Sequence, residues 1–247
     1  MNKINLQKSE KCLSIILPAY NEASSIKQVV LEIADFLFKE KLFIEYELII
    51  VDDGSRDKTN HIIDELKTKI SYLKLITHPQ NLGYGQALIS GLKQAKFEYI
   101  FFMDADGQFK INELNLLCAY IPEFAIVLGY RIRREDSFYR RILGKFYTSL
   151  VFFFFGLKVN DVNCGFKLFK REIFASEKIM STGGIIYAEM LLKARLKGFK
   201  VKQVPVTHFP RRAGKQTGGS FKVVLKAVID LIVLKILQIM KNIKKRV

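Results

Sequence analysis

Cysteine is scarce in this chain of 247 residues, and its few copies lie far apart. Cys12, Cys118 and Cys164 form no Cys-x-x-Cys pair, and their number is odd. This arrangement excludes a disulfide framework and a cysteine-rich zinc site. It is typical of reduced thiols in the core of a cytosolic protein.

Long apolar runs are also missing. The first residues, MNKINLQKSEK, contain no apolar segment of the kind that a signal peptide has. No stretch reaches the roughly 18 uninterrupted apolar residues that a membrane-spanning helix requires. Internal repeats and low-complexity linkers are absent too. We therefore expect a folded chain without a signal peptide or a spanning helix.

Positive charge, by contrast, is abundant. The net charge is +16, and hydrophobic residues make up 49% of the chain. This hydrophobic fraction can bury the core of one large α/β domain or of two small ones. The charge predicts an anionic partner, which could be nucleic acid, a phosphorylated substrate or an acidic lipid surface.

The segment MDADGQ at 103–108 places two carboxylates, Asp104 and Asp106, directly after an apolar run. A strand that ends in this way projects both acids past the carboxyl edge of a sheet, where open α/β sheets bind ligands. Carboxylates this close repel each other unless a cation is near. Mg²⁺ or Mn²⁺ fits this segment, with Gln108 as an additional oxygen ligand. The alternative is a solvated turn, since Asp and Gly are common turn residues.

Apolar runs and helical patterns alternate along the first half of the chain, which predicts an α/β fold with a mostly parallel sheet. The predicted strands are Cys12–Pro18, Glu47–Val51, Leu73–Thr77, Tyr99–Met103 and Ala125–Gly129. The predicted helices are Asn21–Lys39, 57–70 and Gly85–Ala95. In this arrangement three loops meet at one edge of the sheet, where a nucleotide could bind. These loops are 18–22, 52–56 and 104–108.

Four segments of this half resemble the family-2 glycosyltransferases: LPAYNE (17–22), VDDGSRDKT (51–59), NLGYGQALISGL (81–92) and MDADGQ (103–108). The resemblance implies the GT-A fold, a Rossmann-like central sheet with helices on both faces. Two later segments resemble the polyprenyl-phosphate sugar synthases of the dolichyl-phosphate-mannose-synthase type: DVNCGFKLFKREIF (161–174) and GFKVKQVPVTHFPRRAGKQTGG (198–219). We accordingly expect a catalytic domain over 1–220 and a separate helical segment over 221–247.

The resemblance assigns the nucleotide of a nucleotide-diphosphate sugar to the loops that follow the first strands. The residues expected around the nucleoside are Pro18, Tyr20 and Glu22, and those expected at the base or ribose are Asp52 and Asp53. Strand-end and helix-capping roles are the alternatives for these residues. The residues expected to line the rest of this site are Gly83, Gly85 and Ala105.

The same resemblance implies that Asp104, Asp106 and Gln108 hold Mg²⁺ or Mn²⁺ on the donor diphosphate. The metal would neutralise the leaving nucleoside diphosphate as the sugar–oxygen bond breaks. A protein acid on the leaving group is then not needed.

Two basic groups are expected to bind phosphate. Arg131 is the best candidate in the segment after the fifth strand, because arginine can bind phosphate with two parallel hydrogen bonds. Its neighbours Arg133 and Arg134 equally fit a solvated loop. The second group lies in a glycine-rich segment that is expected to close over the phosphates. Its members are Arg211, Arg212 and Lys215.

The acceptor decides whether a general base is required. A hydroxyl acceptor needs one near pH 7, whereas a phosphomonoester is already ionised, with a second pKa of about 6. The resemblance makes Glu189 a candidate base or positioning group on the acceptor side.

The expected function is therefore inverting, metal-dependent transfer of a hexose or N-acetylhexosamine to a polyprenyl phosphate at the cytosolic membrane face. One rival is the same fold with a hydroxyl acceptor. The other is a basic nucleic-acid-binding protein, for which no binding motif is found.

The C-terminal segment predicts an amphipathic helix. Apolar residues recur every three or four positions from Phe221 to Ile243, and basic residues flank this stripe. The pattern fits an anionic membrane surface, and it equally fits a helix docked on the protein core or on another subunit of a homo-oligomer. Leu150–Phe155 is a second candidate apolar surface. Because the chain ends after this helix, we expect it to lie on a membrane and not to cross it.

Overall fold

Seven strands form the sheet in the part of the chain that the structure describes. They are β1 (Cys12–Ala19), β2 (Glu45–Asp52), β3 (Leu73–Thr77), β4 (Tyr99–Phe102), β5 (Ile126–Ile132), β6 (Lys167–Lys170) and β7 (Val201–Thr207). The helices are α1 (Ile26–Glu40), α2 (Thr59–Lys67), α3 (Tyr84–Gln94), α4 (Leu114–Cys118), α5 (Phe138–Phe155), α6 (Ile186–Leu196) and α7 (Phe221–Lys244). These elements come from a computed structural model, which describes residues 11–121, 123–132, 138–174, 179–181, 183–211 and 221–244.

The strands form one sheet in the order β3-β2-β1-β4-β6-β5-β7. Neighbouring strands are parallel except at β6, which runs antiparallel to both β4 and β5. The carboxyl ends of β1, β2 and β4 therefore lie at one edge of the sheet. Because β6 is reversed, its beginning lies at that same edge, so the residues just before Lys167 also reach it.

Alternate residues of the central strands face two separate cores. Ile15 and Ile50 belong to the core covered by α1, α2 and α4, whereas Ile16 and Ile49 belong to the core covered by α3, α5, α6 and α7. A strand buried on both faces has no polar side, which explains the continuous apolar runs of β1 and β2. The predicted mostly parallel α/β sheet with helices on both faces is confirmed.

Two predicted boundaries at the first loop are wrong. Pro18 lies inside β1, because β1 pairs with β4 only as far as Ile16. The Pro18 nitrogen, which cannot donate a hydrogen bond, faces the same side of β1 as the Ile16 nitrogen. No described strand pairs with β1 on that side beyond Ile16, so proline is tolerated there. The predicted helix from Asn21 begins only at Ile26. Asn21 has a φ of 56°, outside the helical region, and its polar groups bond to the loop after β2.

Helix α7 packs against α5 through one face and leaves another face exposed. Ala227, Leu231 and Leu234 pack on the core, and Leu231 is fully buried. The helix is therefore docked on the protein core, which was one of the two alternatives. The predicted stripe lies on a different side and its described large residues remain exposed. They are Leu225, Ile229, Ile232, Ile236 and Ile239. The domain boundary at 220 stays a prediction.

Helix α5 adds a second row of exposed apolar side chains. Phe138 and Phe153 are 71% and 79% exposed, and Ile142, Phe146 and Phe152 are about half exposed. Because α5 and α7 pack against each other, we name these exposed side chains together the α5–α7 apolar surface. Among the described residues, no helix combines the length and the apolarity needed to span a bilayer.

Candidate active site

The loops after β1 and β2 are joined by hydrogen bonds at the carboxyl edge of the sheet. The side-chain oxygen of Asn21 accepts from the Arg56 N–H (2.8 Å), and the Asn21 N–H donates to Ser55 Oγ (2.9 Å). The loop after β4 is tied to them, because Ser25 Oγ donates to the carbonyl oxygen of Ala105 (3.0 Å). The three loops therefore meet, as the alternation of strands and helices predicts.

Three other residues are predicted to contact the nucleotide. Pro18 is buried in β1, Tyr20 is half-buried just after β1, and Gly85 is buried in the first turn of α3. Their contacts with a nucleotide stay a prediction.

The two acids at the end of β2 bind the protein's own loops. Asp53 Oδ1 accepts from the Leu82 N–H (2.9 Å), and Asp53 Oδ2 accepts from the Gly83 N–H (2.9 Å). Gly83 has a φ of 98°, a conformation that glycine adopts without strain. Asp52 accepts from the Ser55 N–H (3.0 Å), which is a turn-capping contact. These contacts fix the segment before α3, and contact with a base or ribose remains a prediction.

His78 contacts the Asp53 carboxylate, although no motif in the sequence predicts this contact. Its Nδ1 lies 2.7 Å from Asp53 Oδ1 and its Nε2 lies 2.9 Å from Ser90 Oγ. The histidine therefore connects the end of β2 to α3. A single histidine at a strand end carries no pattern in the sequence, so only the packing identifies it.

Asp104 is held between a hydroxyl group and a glycine. Tyr84 Oη donates to Asp104 Oδ1 at 2.7 Å. On the other side, a Cβ atom built on Gly165 would lie 2.2 Å from Asp104 Oδ2, so the carboxylate packs directly on the glycine. Both partners belong to segments that carry the resemblance, NLGYG and DVNCGF, but their contact with Asp104 depends on the fold.

Asp106 and Gln108 form a turn that is tied to the segment after β7. Asp106 Oδ1 accepts from the Gln108 N–H (3.0 Å). Gln108 Nε2 donates to the carbonyl oxygen of Phe209 (3.0 Å), and the Phe209 N–H donates to the carbonyl oxygen of Gln108 (2.9 Å). The predicted metal segment is thus anchored to the residues that lead into the predicted basic lid.

Negative charge is concentrated at this edge. Burial, followed by the charge of Asp104, raises the pKa of Asp106 to about 6. Burial also raises the pKa of Asp104, despite the Tyr84 hydrogen bond and the nearby charges of Arg131 and Lys167. The pKa of Glu22 is raised in the same way, with burial as the main cause. The protein therefore holds acids that an added cation would stabilise in their ionised form.

Arg211 supplies positive charge to two of these acids. Its guanidinium forms a salt bridge with Glu22 and lies 3.5 Å from Asp106 Oδ2. The first predicted residue of the basic lid is therefore in the site. Arg212 and Lys215 lie outside the described residues, and so do Arg133 and Arg134.

Arg131 lies at the end of β5, inside the strand and not in a loop after it. Its guanidinium makes a bidentate pair with Asp161, with Nε to Oδ2 at 2.6 Å and Nη2 to Oδ1 at 3.0 Å. The pair fixes the direction of the arginine side chain. Asp161 belongs to the segment before β6, and its pairing with Arg131 is not evident from the sequence. Phosphate binding by Arg131 stays a prediction.

Glu189 is buried in α6 and is already bound by the protein. Its carboxylate accepts from the N–H groups of Met180 (3.0 Å) and Ser181 (2.7 Å) and pairs with Lys193 (2.7 Å). Burial alone would raise its pKa, but these hydrogen bonds outweigh that effect and hold the pKa below its ordinary value. The contacts favour the positioning role over the general-base role.

Solved structures with this fold are found among enzymes that use nucleotide sugars. The chain superimposes on glucosyl-3-phosphoglycerate synthase of Mycobacterium tuberculosis in complex with Mn²⁺, UDP-glucose and phosphoglyceric acid, with a TM-score of 0.72 and 18% identity. The match covers 94% of this chain and 82% of that one. At this identity the likeness shows the GT-A fold alone.

Sequence relatives are more informative. The chain is 30% identical to a dolichyl-phosphate beta-glucosyltransferase of Trichomonas vaginalis, over 93% of this chain and 75% of the relative. A second such enzyme of T. vaginalis is 32% identical over 78% of this chain and 64% of the relative. The dolichyl-phosphate beta-glucosyltransferase of Saccharomyces cerevisiae is 28% identical over 79% of this chain and 66% of the relative. The chain thus spans just under two thirds of the second and third relatives.

The family comparison agrees with the geometry. The model described as glycosyl transferase family 2 matches residues 14–176, which include the strand-end acids, the junction of the three loops and the segment before β6. Well over half of the chain lies in this match. The chain therefore belongs to glycosyl transferase family 2.

Proposed function

We propose that this chain transfers a glucosyl residue from a nucleotide-diphosphate sugar to a polyprenyl phosphate, with a divalent metal and with inversion at the anomeric carbon. The observation that carries the proposal is the pair Asp104 and Asp106 at the carboxyl edge of the sheet. Both carboxyl pKa values are raised, and Arg211 lies 3.5 Å from Asp106 Oδ2. Such a site favours an added cation, and Arg211 at its border is suited to bind phosphate.

The residues present fit a hard divalent cation. Asp104 and Asp106 offer carboxylate oxygens, and Gln108 offers an amide oxygen. Within the described part of the chain, no three His, Cys, Asp or Glu side chains are grouped as a metal-binding cluster. Mg²⁺ commonly binds through one or two carboxylates together with substrate phosphates. When bound, the metal would neutralise the charge that develops on the departing diphosphate.

The protein's own residues would orient the reactants. Arg131, held in place by Asp161, and Arg211 would bind phosphate oxygens through charge-assisted hydrogen bonds. An oxygen of the acceptor phosphate would attack C1 of the sugar as the bond from C1 to the leaving diphosphate breaks. The nucleophile is ionised beforehand, so alignment of the reactants would supply much of the acceleration.

A phosphate acceptor is supported by two observations. The relatives named above are dolichyl-phosphate glucosyltransferases. In addition, the carboxylate of Glu189, the candidate base, is already occupied by hydrogen bonds from Met180, Ser181 and Lys193. An acceptor that needs no base is consistent with this environment.

Attachment to a membrane surface is supported by the α5–α7 apolar surface. Exposed basic residues lie on the same helices, among them Arg141, Lys145 and Lys226. Apolar side chains with basic neighbours are suited to the interface of an anionic membrane. We place this membrane contact at the cytoplasmic face, because the cysteines Cys118 and Cys164 are free thiols, as is typical of a reducing compartment.

The test is a transfer assay with Mn²⁺, a polyprenyl phosphate and a panel of nucleotide sugars, with the lipid product identified by mass spectrometry. We expect a glucosylated lipid phosphate from one nucleotide glucose. Asp104→Asn is the matched inactive control. A product that forms only when a hydroxyl acceptor replaces the lipid phosphate would overturn the proposed acceptor.

A further inference from the structure

A chain of hydroxyl groups leads from α6 to Asp104. Tyr84 Oη lies 2.7 Å from Asp104 Oδ1 and 2.8 Å from Tyr187 Oη. An ionised carboxylate only accepts, so the single Tyr84 proton is directed to Asp104. The Tyr187 hydroxyl must then donate to the oxygen of Tyr84. Each donor in such a chain polarises the next one, which strengthens the bond at the end of the chain.

The inner end of this chain rests on a buried lysine, whose pKa is lowered by burial. The Nζ of Lys167 lies 4.7 Å from the centroid of the Tyr187 ring. Lys167 is fully buried, and among the described residues its ammonium has no hydrogen-bond partner. A charged lysine in such a place is costly unless nearby charge or an aromatic face compensates it. The Tyr187 ring provides that face, and Tyr187 itself is almost fully buried.

The contact places Tyr84 in an unusual position. Its ring stands at the start of α3 and is 37% exposed, while its hydroxyl group points inward to Asp104. A hydroxyl group that turns away from water needs a hydrogen-bond partner inside the protein, and Asp104 is that partner for Tyr84. The opposite side of Asp104 is closed by the backbone of Gly165. The carboxylate is therefore restrained from two sides.

We propose that Tyr84 and Tyr187 are positioning residues that hold the Asp104 carboxylate in the orientation required to bind the metal. Tyr84 acts directly on Asp104, and Tyr187 acts only through Tyr84. Neither tyrosine would be a ligand of the metal. The inference rests on the proposed metal-dependent function, because it assigns Asp104 to the metal.

The test measures Mn²⁺ binding and not turnover. Free Mn²⁺ is followed by electron paramagnetic resonance while it is titrated into protein with UDP present. Tyr84→Phe should weaken Mn²⁺ binding about tenfold, the scale of a hydrogen bond to a charged group. Tyr187→Phe should weaken it less. The double variant should match Tyr84→Phe alone, because Tyr187 has no independent route to Asp104.

The control is Tyr46→Phe, which removes a hydroxyl from a tyrosine in β2 that packs edge-on against Tyr72, the residue just before β3. It should bind Mn²⁺ like the unchanged protein. Without metal, every variant should show the circular dichroism spectrum of the unchanged protein and a single cooperative melting transition above the assay temperature, which excludes a loss of fold as the cause of weaker binding.

Asp104→Asn separates this inference from the function on which it rests. If Asp104→Asn abolishes Mn²⁺ binding while Tyr84→Phe binds normally, the tyrosines do not position Asp104 and the inference is overturned. Additive losses in the double variant would overturn the route through Tyr84. If Asp104→Asn itself binds Mn²⁺ normally, the proposed metal site fails instead.

Discussion

Arg211 forms a salt bridge with Glu22, a residue 189 positions earlier in the chain. The bridge links the segment after the last strand to the loop after the first one. The same guanidinium also reaches Asp106. Arg211 thus offsets part of the negative charge that Glu22 and Asp106 bring to this edge of the sheet.

Arg211→Ala should lower turnover by at least about tenfold, because it removes the charge-assisted contact that we propose with phosphate. The affinity for free UDP should change much less, since the predicted nucleoside contacts lie in other loops. Rates at saturating substrates and calorimetry with UDP measure the two quantities. Arg171→Ala, at an exposed arginine after β6, is the control and should leave both unchanged. An unchanged rate for Arg211→Ala would place this residue outside the reaction.

Asp106→Asn should stabilise the metal-free protein at neutral pH. The folded protein raises the Asp106 pKa from the usual 3.8 to about 6, so the folded state loses stability as the pH rises through this window. Asparagine does not ionise. The free energy of unfolding at pH 7.5 should therefore increase by roughly 1–3 kcal/mol, and the gain should vanish near pH 4.

Urea unfolding of the metal-free protein at the two pH values measures this effect. Asp57→Asn is a control with the opposite sign. Although burial acts to raise the pKa of Asp57, hydrogen bonds from Thr59 and Ala23 lower it, so its loss should destabilise the protein at neutral pH. An Asp106→Asn protein that is less stable at pH 7.5 would contradict the raised pKa.

Gly165→Ala should abolish Mn²⁺ binding as completely as Asp104→Asn does. The added methyl group would lie 2.2 Å from Asp104 Oδ2, so the carboxylate must move. Gly184→Ala is the matched control, because a Cβ there meets nothing within 4 Å. Circular dichroism should show both variants folded. Normal Mn²⁺ binding by Gly165→Ala would mean that Asp104 tolerates displacement.

Phe153→Glu should weaken binding to anionic liposomes by about tenfold or more. The change replaces an apolar side chain that we propose is buried in the lipid with a negative charge that the anionic lipid repels. Phe153 is 79% exposed. Phe38→Glu is the control, since Phe38 is 72% exposed but lies on α1, away from the α5–α7 apolar surface. Flotation assays compare the variants. Equal binding by both would assign the α5–α7 apolar surface to another partner.

Substitution is a better test of this surface than deletion of α7. The sequence suggests that the helix could be removed as a separate segment. The structure shows Leu231 fully buried against the core, so removing the helix would expose that core.

The first half of the fold could be predicted because its strands are unbroken apolar runs. β3 matches its predicted bounds, and β1, β2 and β4 differ at the ends by at most two residues. β6 gives no such signal, since Lys167 and Lys170 flank only two apolar residues and Lys167 is nevertheless buried. β7 contains Pro205 and lies at the edge of the sheet, where proline is tolerated.

The site could be predicted only in part. The position of Asp104 and Asp106 after an apolar run reveals them directly. Gly165 reaches this region because β4 and β6 are neighbours, and Tyr84 and Tyr187 reach it because α3 and α6 cover the same face of the sheet. No local pattern encodes those distances. Asp53 shows the opposite case, because its motif predicts a nucleotide contact while the partners seen in the structure are loop N–H groups and His78.

The reversed direction of β6 has a consequence for the order in which the protein is built. The strands β1 to β4 pair within the first 102 residues, so this half of the sheet can form early in synthesis. Gly165 and Tyr187 emerge much later from the ribosome. Until then Asp104 has Tyr84 beside it, but Gly165 and Tyr187 are missing. The proposed metal site should therefore be completed only after this half of the sheet has formed.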